Sequence, residues 1–257
     1  MKNENASQKN RRKRGIYLLP NLLTTTNLFC GFYSLLASMK GEFSLAATVI
    51  IFAMVLDSLD GRIARMTNTM SKFGAEYDSL SDLVTFGVAP AILAYTWALH
   101  AYGKWGWLAA FLFVACGALR LARFNIQTGI IESKVFNGLP IPASASVIAM
   151  GVMLYFYLGE TGKFHHVSIL FTVAILALLM VSNIRYYSFK DLNFFSRKPF
   201  MSFVLIVIIM IVVYAEQQIT LFTFALGYTF SGPMWWLIRY WKRTANEKTE
   251  EGVKVKS

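Results

Sequence analysis

The stretch DSLDGRIARMTNTMSKFGAEYDSLSD, residues 57–82, carries four of the five aspartates in the chain. Asp57 and Asp60 stand three residues apart, and Asp78 and Asp82 four apart, so each pair lies on one face of a helix. Directly upstream runs FSLAATVIIFAMVL (43–56), and directly downstream LVTFGVAPAILAYTWAL (83–99). The short polar piece between the pairs makes the two flanking helices antiparallel neighbours. Four carboxylates then converge at one depth, at the ends of two apolar helices. Each costs about 2.5–3.5 kcal/mol in a hydrocarbon core by insertion scales, less near its edge, and together they repel, so something positive must compensate. Oxygen donors with no Cys or His nearby suit Mg²⁺, Mn²⁺ or Ca²⁺ rather than zinc. Two such ions held between the pairs would bind a pyrophosphate and stabilise its displacement. Solvated helix-end charges would explain one pair more readily than two on adjacent helices. A cation-coupled transporter is the rival of a different class; it calls for acids nearer the bilayer midplane and repeat-related broken helices, and the sequence has neither.

The rest of the chain supports a membrane setting. Of 257 residues, 56% are hydrophobic and 15% charged, against roughly 25% charged in a soluble domain, and the mean hydropathy is +0.48. A soluble globule could not cover that apolar surface. Gly, Pro and Cys contents exclude collagen-like, disordered and disulfide-scaffold classes, and Cys30 and Cys116 read as buried thiols. A membrane helix needs roughly 20 apolar residues. The expected spans are 18–39, 43–62, 76–100, 105–122, 141–158, 166–184, 200–216 and 219–238. The fold class is therefore all-α, a polytopic membrane bundle of about eight helices. Pro20-Asn21 and Thr24–Asn27 interrupt the first run, which argues against a cleaved leader.

Orientation follows from the basic residues. Six Lys and Arg precede Gly15, three fall in 62–72, three in 120–134, four in 185–198 and six from Arg239 onward, which leaves only Lys40, Lys104 and Lys163 for the other side. Such asymmetry places both termini and the acidic cluster in the cytoplasm, in the inner (cell) membrane. It also accounts for the net charge of +11 without a nucleic-acid partner, because the charge is dispersed in short membrane-flanking pieces that favour anionic lipid.

Asp57-x2-Asp60-Gly61-x2-Ala64-Arg65-x8-Gly74-x3-Asp78-x3-Asp82 resembles, at all eight fixed positions, the signature of the CDP-alcohol phosphatidyltransferases. Pro20-Asn21-x2-Thr24 resembles a stretch of that family's first helix. RLARFN (120–125) and FNGLPIPASA (136–145) look like its membrane-spanning bacterial and archaeal branch, in which serine is the acceptor. The resemblance implies a six-helix core over 15–185 and two added helices over 186–238, between a basic tail at 1–14 and another at 239–257. It implies transfer of a phosphatidyl group from CDP-diacylglycerol to L-serine, with release of CMP. Asp57, Asp60 and Asp78 would hold two ions, Mg²⁺ or Mn²⁺ with Ca²⁺ as an alternative. Asp82 would take the acceptor's proton and touch a metal. Asn21, Thr24, Gly61, Ala64, Arg65, Ser71 and Gly74 would form the nucleotide side: Gly61 for close backbone approach, Ala64 and Gly74 for space, Arg65 for the pyrophosphate. Arg120, Arg123, Asn125 and Lys134 would receive the serine carboxylate. Inositol phosphate, glycerol phosphate and choline are the rival acceptors. A membrane homodimer is the expected assembly.

Overall fold

The computed structural model describes residues 2–66, 71–127, 135–164, 166–187 and 216–254. They form an all-helical bundle with one short ribbon. The helices are α1 (Lys2–Lys40), α2 (Phe43–Met66), α3 (Lys72–Asp82), α4 (Ala89–Trp97), α5 (Gly103–Gln127), α6 (Ile141–Tyr157), α7 (Ser168–Val181) and α8 (Gln217–Lys254). Among the described residues, four stretches are long and apolar enough to cross a membrane: Asn21–Lys40, Phe43–Ile63, Lys72–Trp97 and Leu99–Ile126. The outward faces carry Phe29, Phe32, Phe52, Trp105 and Phe111, all exposed. Apolar surface of that extent is suited to lipid, and the chain is a membrane-embedded bundle.

The third expected span is not one uniform helix. Between α3 and α4 lies a π-helical segment, Leu83–Val88, where the amide of Ala89 bonds the carbonyl of Val84 five residues back. Pro90 explains it: its ring lacks a donor and would collide with the carbonyl four residues earlier, and widening the preceding turn relieves both. α6 matches the span expected at 141–158 to within one residue, whereas α7, at 14 residues, is shorter than the span expected at 166–184. Pro140 and Pro142 set the start of α6, and α7 stops where the chain enters the ribbon. The span expected at 200–216 lies almost wholly outside the described residues, and α8 runs past 238 to Lys254.

The ribbon was not foreseen. β1 (Val135–Asn137) pairs antiparallel with β2 (Arg185–Tyr187), Phe136 opposite Tyr186. Gly138 follows at φ +83°, and a side chain there would run into the Met180 carbonyl. Its amide bonds Ile184 and that of Leu139 bonds Leu179, which ties the start of α6 to the end of α7. Tyr186 is fully buried, donates its hydroxyl to Thr229 of α8 at 3.1 Å, and packs its ring against Gly232. Burial, with Tyr228 nearby, pushes the Tyr186 phenol up from its usual value.

α1 and α2 meet through small residues. Cys30, Ser34, Ala37 and Ser38 are buried on α1, and Ala46, Ala47 and Ala53 on α2. Such stripes let backbones approach closely. Ser34 donates to the Ala46 carbonyl at 3.0 Å and Ser38 to that of Ser34 at 2.8 Å, so the buried hydroxyls are satisfied.

Candidate active site

Three carboxylates meet where α2 approaches α3. One oxygen each of Asp57, Asp78 and Asp82 lies within 4.8 Å of the others. Asp57 comes at the end of the apolar run of α2. On α3 and the π-helical segment that continues it, Asp78, Ser81, Asp82 and Thr85 recur at i, i+3, i+4 and i+7. Asp78 Oδ1 is buried and has no hydrogen-bond partner among the described residues. A buried carboxylate oxygen without a donor is costly. A cation satisfies it, and an all-oxygen set is what a hard divalent ion takes, so these residues fit such a metal.

α1 closes the cluster from the other side. Ser81 Oγ donates to the Thr24 carbonyl and Thr85 Oγ1 to the Asn27 carbonyl, both at 3.1 Å. Asn27 Nδ2 donates to Asp82 Oδ1 at 3.4 Å. Thr25 Oγ1 and Tyr77 OH share a hydrogen bond of 2.9 Å. Gly31 makes this approach feasible: a Cβ there would stand 2.8 Å from the Thr85 Cα.

Several expected nucleotide residues lie along the contact of α1 with α3. Thr24 is buried at the α1–α3 contact. Ser71 caps α3, its Oγ accepting the Gly74 amide at 2.9 Å. A Cβ on Gly74 would come within 3.1 Å of Ser71 Oγ and 3.4 Å of Asn21 Oδ1, so those two side chains already border it. Gly61 faces open space: a Cβ there would meet nothing within 4 Å. Asp60, Ala64 and Arg65 belong to α2, but their side chains lie outside the described residues, as does all of Lys134.

Arg120 and Arg123 of α5 have partners within the fold. Arg120 is buried; its Nε donates to the Leu139 carbonyl, and Asp82, Arg123 and Tyr228 are its charged and polar neighbours. Arg123 NH1 donates to the Val181 carbonyl at 3.1 Å and to Asn183 Oδ1 at 3.3 Å. Asn125 exchanges hydrogen bonds with Ser79 at 3.0 and 3.2 Å and donates to Glu76 at 3.4 Å. The sequence reading missed Asn27, Ser81, Thr85 and Tyr228. The run Thr24–Asn27 signalled the first of these, since three hydroxyls and an amide in an apolar helix need buried partners.

The profile of the CDP-alcohol phosphatidyltransferase family matches residues 17–179. The chain is 39% identical over 226 residues to the CDP-diacylglycerol–serine O-phosphatidyltransferase of Helicobacter pylori, covering 86% of this chain and 92% of that one. It is 42% identical over 170 residues to the archaetidylserine synthase of Methanothermobacter thermautotrophicus, 65% of this chain and 69% of that one. To a CDP-diacylglycerol–serine O-phosphatidyltransferase of Bacillus subtilis it is 36% identical over 174 residues, 67% of this chain and 91% of the relative. The matched region contains the acidic cluster, the part of α1 that closes it and the arginines of α5: the chain belongs to the CDP-alcohol phosphatidyltransferase family.

Proposed function

We propose that this protein transfers the phosphatidyl group of CDP-diacylglycerol to the hydroxyl of L-serine, giving phosphatidylserine and CMP. The observation that carries the reading is the Asp57, Asp78 and Asp82 cluster, with oxygens within 4.8 Å, set in the helices of a lipid-facing bundle. The serine transferases similar to most of this chain supply the acceptor. Asp57, Asp60 and Asp78 would hold two divalent ions, Mg²⁺ or Mn²⁺, and Asp82 would share one. Bound there, the ions supply positive charge to the pyrophosphate oxygens and to the attacking oxygen.

Asp82 accepts the proton of the serine hydroxyl. The serine oxygen bonds to the phosphorus that carries diacylglycerol. The bond from that phosphorus to the bridging oxygen breaks, and CMP departs with the electron pair. Asn21, Thr24, Gly61, Ala64, Arg65 and Gly74 border the nucleotide, with Ser71 acting through the turn it caps. Arg120 offers its NH1 and NH2 to the serine carboxylate. Arg123 and Asn125 shape that side by holding α7 and α3 to α5, and Lys134 adds charge beside them. The catalytic core spans 15–185, and 186–238 adds two membrane helices. The Lys and Arg asymmetry supports a site on the cytoplasmic face of the cell membrane, and the proposal includes a homodimer.

The test is an acceptor screen on purified protein with CDP-diacylglycerol and Mg²⁺ or Mn²⁺. CMP release with serine is expected. Release with glycerol phosphate, inositol phosphate or choline but not serine would reassign the acceptor, and no release with any alcohol would reject the transferase reading.

A further inference from the structure

Asn27 is fully buried in α1. Its Nδ2 donates to Asp82 Oδ1 at 3.4 Å, while its Oδ1 has no partner among the described residues. Only the NH₂ group of the amide can donate to a carboxylate, so the contact with Asp82 dictates which way the amide turns and leaves the oxygen stranded. An apolar side chain would avoid that desolvation cost. Packing does not require the amide either. The register of α1 on α3 is held by main-chain carbonyls, those of Thr24 and Asn27, which accept from Ser81 and Thr85. Gly31 adds the close approach to Thr85. All of these would survive replacement of the Asn27 side chain. What the side chain alone supplies is a donor to Asp82.

We infer that Asn27 is a positioning residue: its carboxamide holds the Asp82 carboxylate in one orientation toward the acceptor hydroxyl. This rests on the reading of Asp82 as the proton acceptor. Its effect therefore falls on turnover and not on either substrate's affinity, and it requires the carboxylate.

Steady-state CMP release by the purified full chain tests this. Asn27→Ala should lower kcat ten- to hundredfold, the range typical when an outer partner of a site residue is lost, and keep KM for serine and for CDP-diacylglycerol within about threefold. In an Asp82→Asn background, Asn27→Ala should cost nothing further, because the two act as a unit. Ser34→Ala, which removes a different buried hydrogen bond of α1, should keep kcat and so controls for loosened packing. If Asn27→Ala does not fold, Asn27→Val, close to Asn in volume and without a donor, takes its place in both backgrounds. A wild-type kcat in the folded variant, a loss confined to KM, or an undiminished loss in the Asp82→Asn background would overturn the inference. Should Asp82→Asn itself keep a normal kcat, the proton-acceptor reading falls and this one with it. If only the Asn27 variant keeps it, the inference fails alone.

Discussion

Asp78 holds a buried carboxylate oxygen with no donor among the described residues, and Asp57 and Asp82 add charge within 4.8 Å. Relief of that repulsion should be visible in stability as well as activity. Asp57→Asn and Asp78→Asn should each reduce CMP release by at least about a hundredfold, as expected for loss of charge stabilisation at a phosphoryl centre. Mg²⁺ or Mn²⁺ should raise the melting temperature of the unmodified protein by mass action on the folded state, and Asp78→Asn should abolish that rise. Full turnover in excess EDTA would reject a metal role. On the acceptor side, Arg120→Ala should raise KM for serine roughly ten- to hundredfold, the equivalent of one charge-assisted bond of about 1.5–3 kcal/mol. The smaller rise expected for Arg123→Ala reflects its bonds to Val181 and Asn183; equal rises would give both arginines the carboxylate. Asp57, Asp78 and Asp82 were legible as a cluster because their spacing alone puts them on helix faces. Asn27 was not, because its meaning depends on a neighbour 55 positions away. Arg120 was legible as a charge, but its attachment to Leu139 depends on how the chain returns after the ribbon.

At the scale of elements, the contact of α1 with the π-helical segment decides whether the cluster has a wall. Gly31→Val would press a branched side chain into the Thr85 backbone, 2.8 Å from a Cβ at that position. Overpacking of this kind costs about 1–3 kcal/mol. A lower melting temperature and a lower kcat together are expected, since the displaced helix carries Asn27 away from Asp82. A variant with unchanged melting and turnover would show that α1 has room to shift. Hydropathy located the first four apolar helices well, because lipid contact demands length and an apolar surface. It overestimated the reach of α7, whose end depends on hydrogen bonds from the Gly138 and Leu139 amides. A three-residue strand has no periodicity to read, so the ribbon was invisible before folding.

For the whole molecule, the basic residues predict a sidedness. A cysteine introduced in the 66–72 loop should react with an impermeant reagent only from the cytoplasmic side, and one at Gly162 only from the other. The reverse pattern would overturn the assignment. The placement of α8 bears on biogenesis. The acidic cluster, its α1 wall and the α5 arginines are all encoded before residue 130, whereas the glycine that receives the Tyr186 ring comes at position 232. Synthesis runs from the N-terminus. Tyr186 therefore stays uncovered, and the neighbourhood of Arg120 stays without Tyr228, until the final helix has emerged. A nascent chain stalled before residue 232 would hold every aspartate of the cluster yet expose an unpaired phenol and an open flank, a state that membrane quality control could recognise as unfinished.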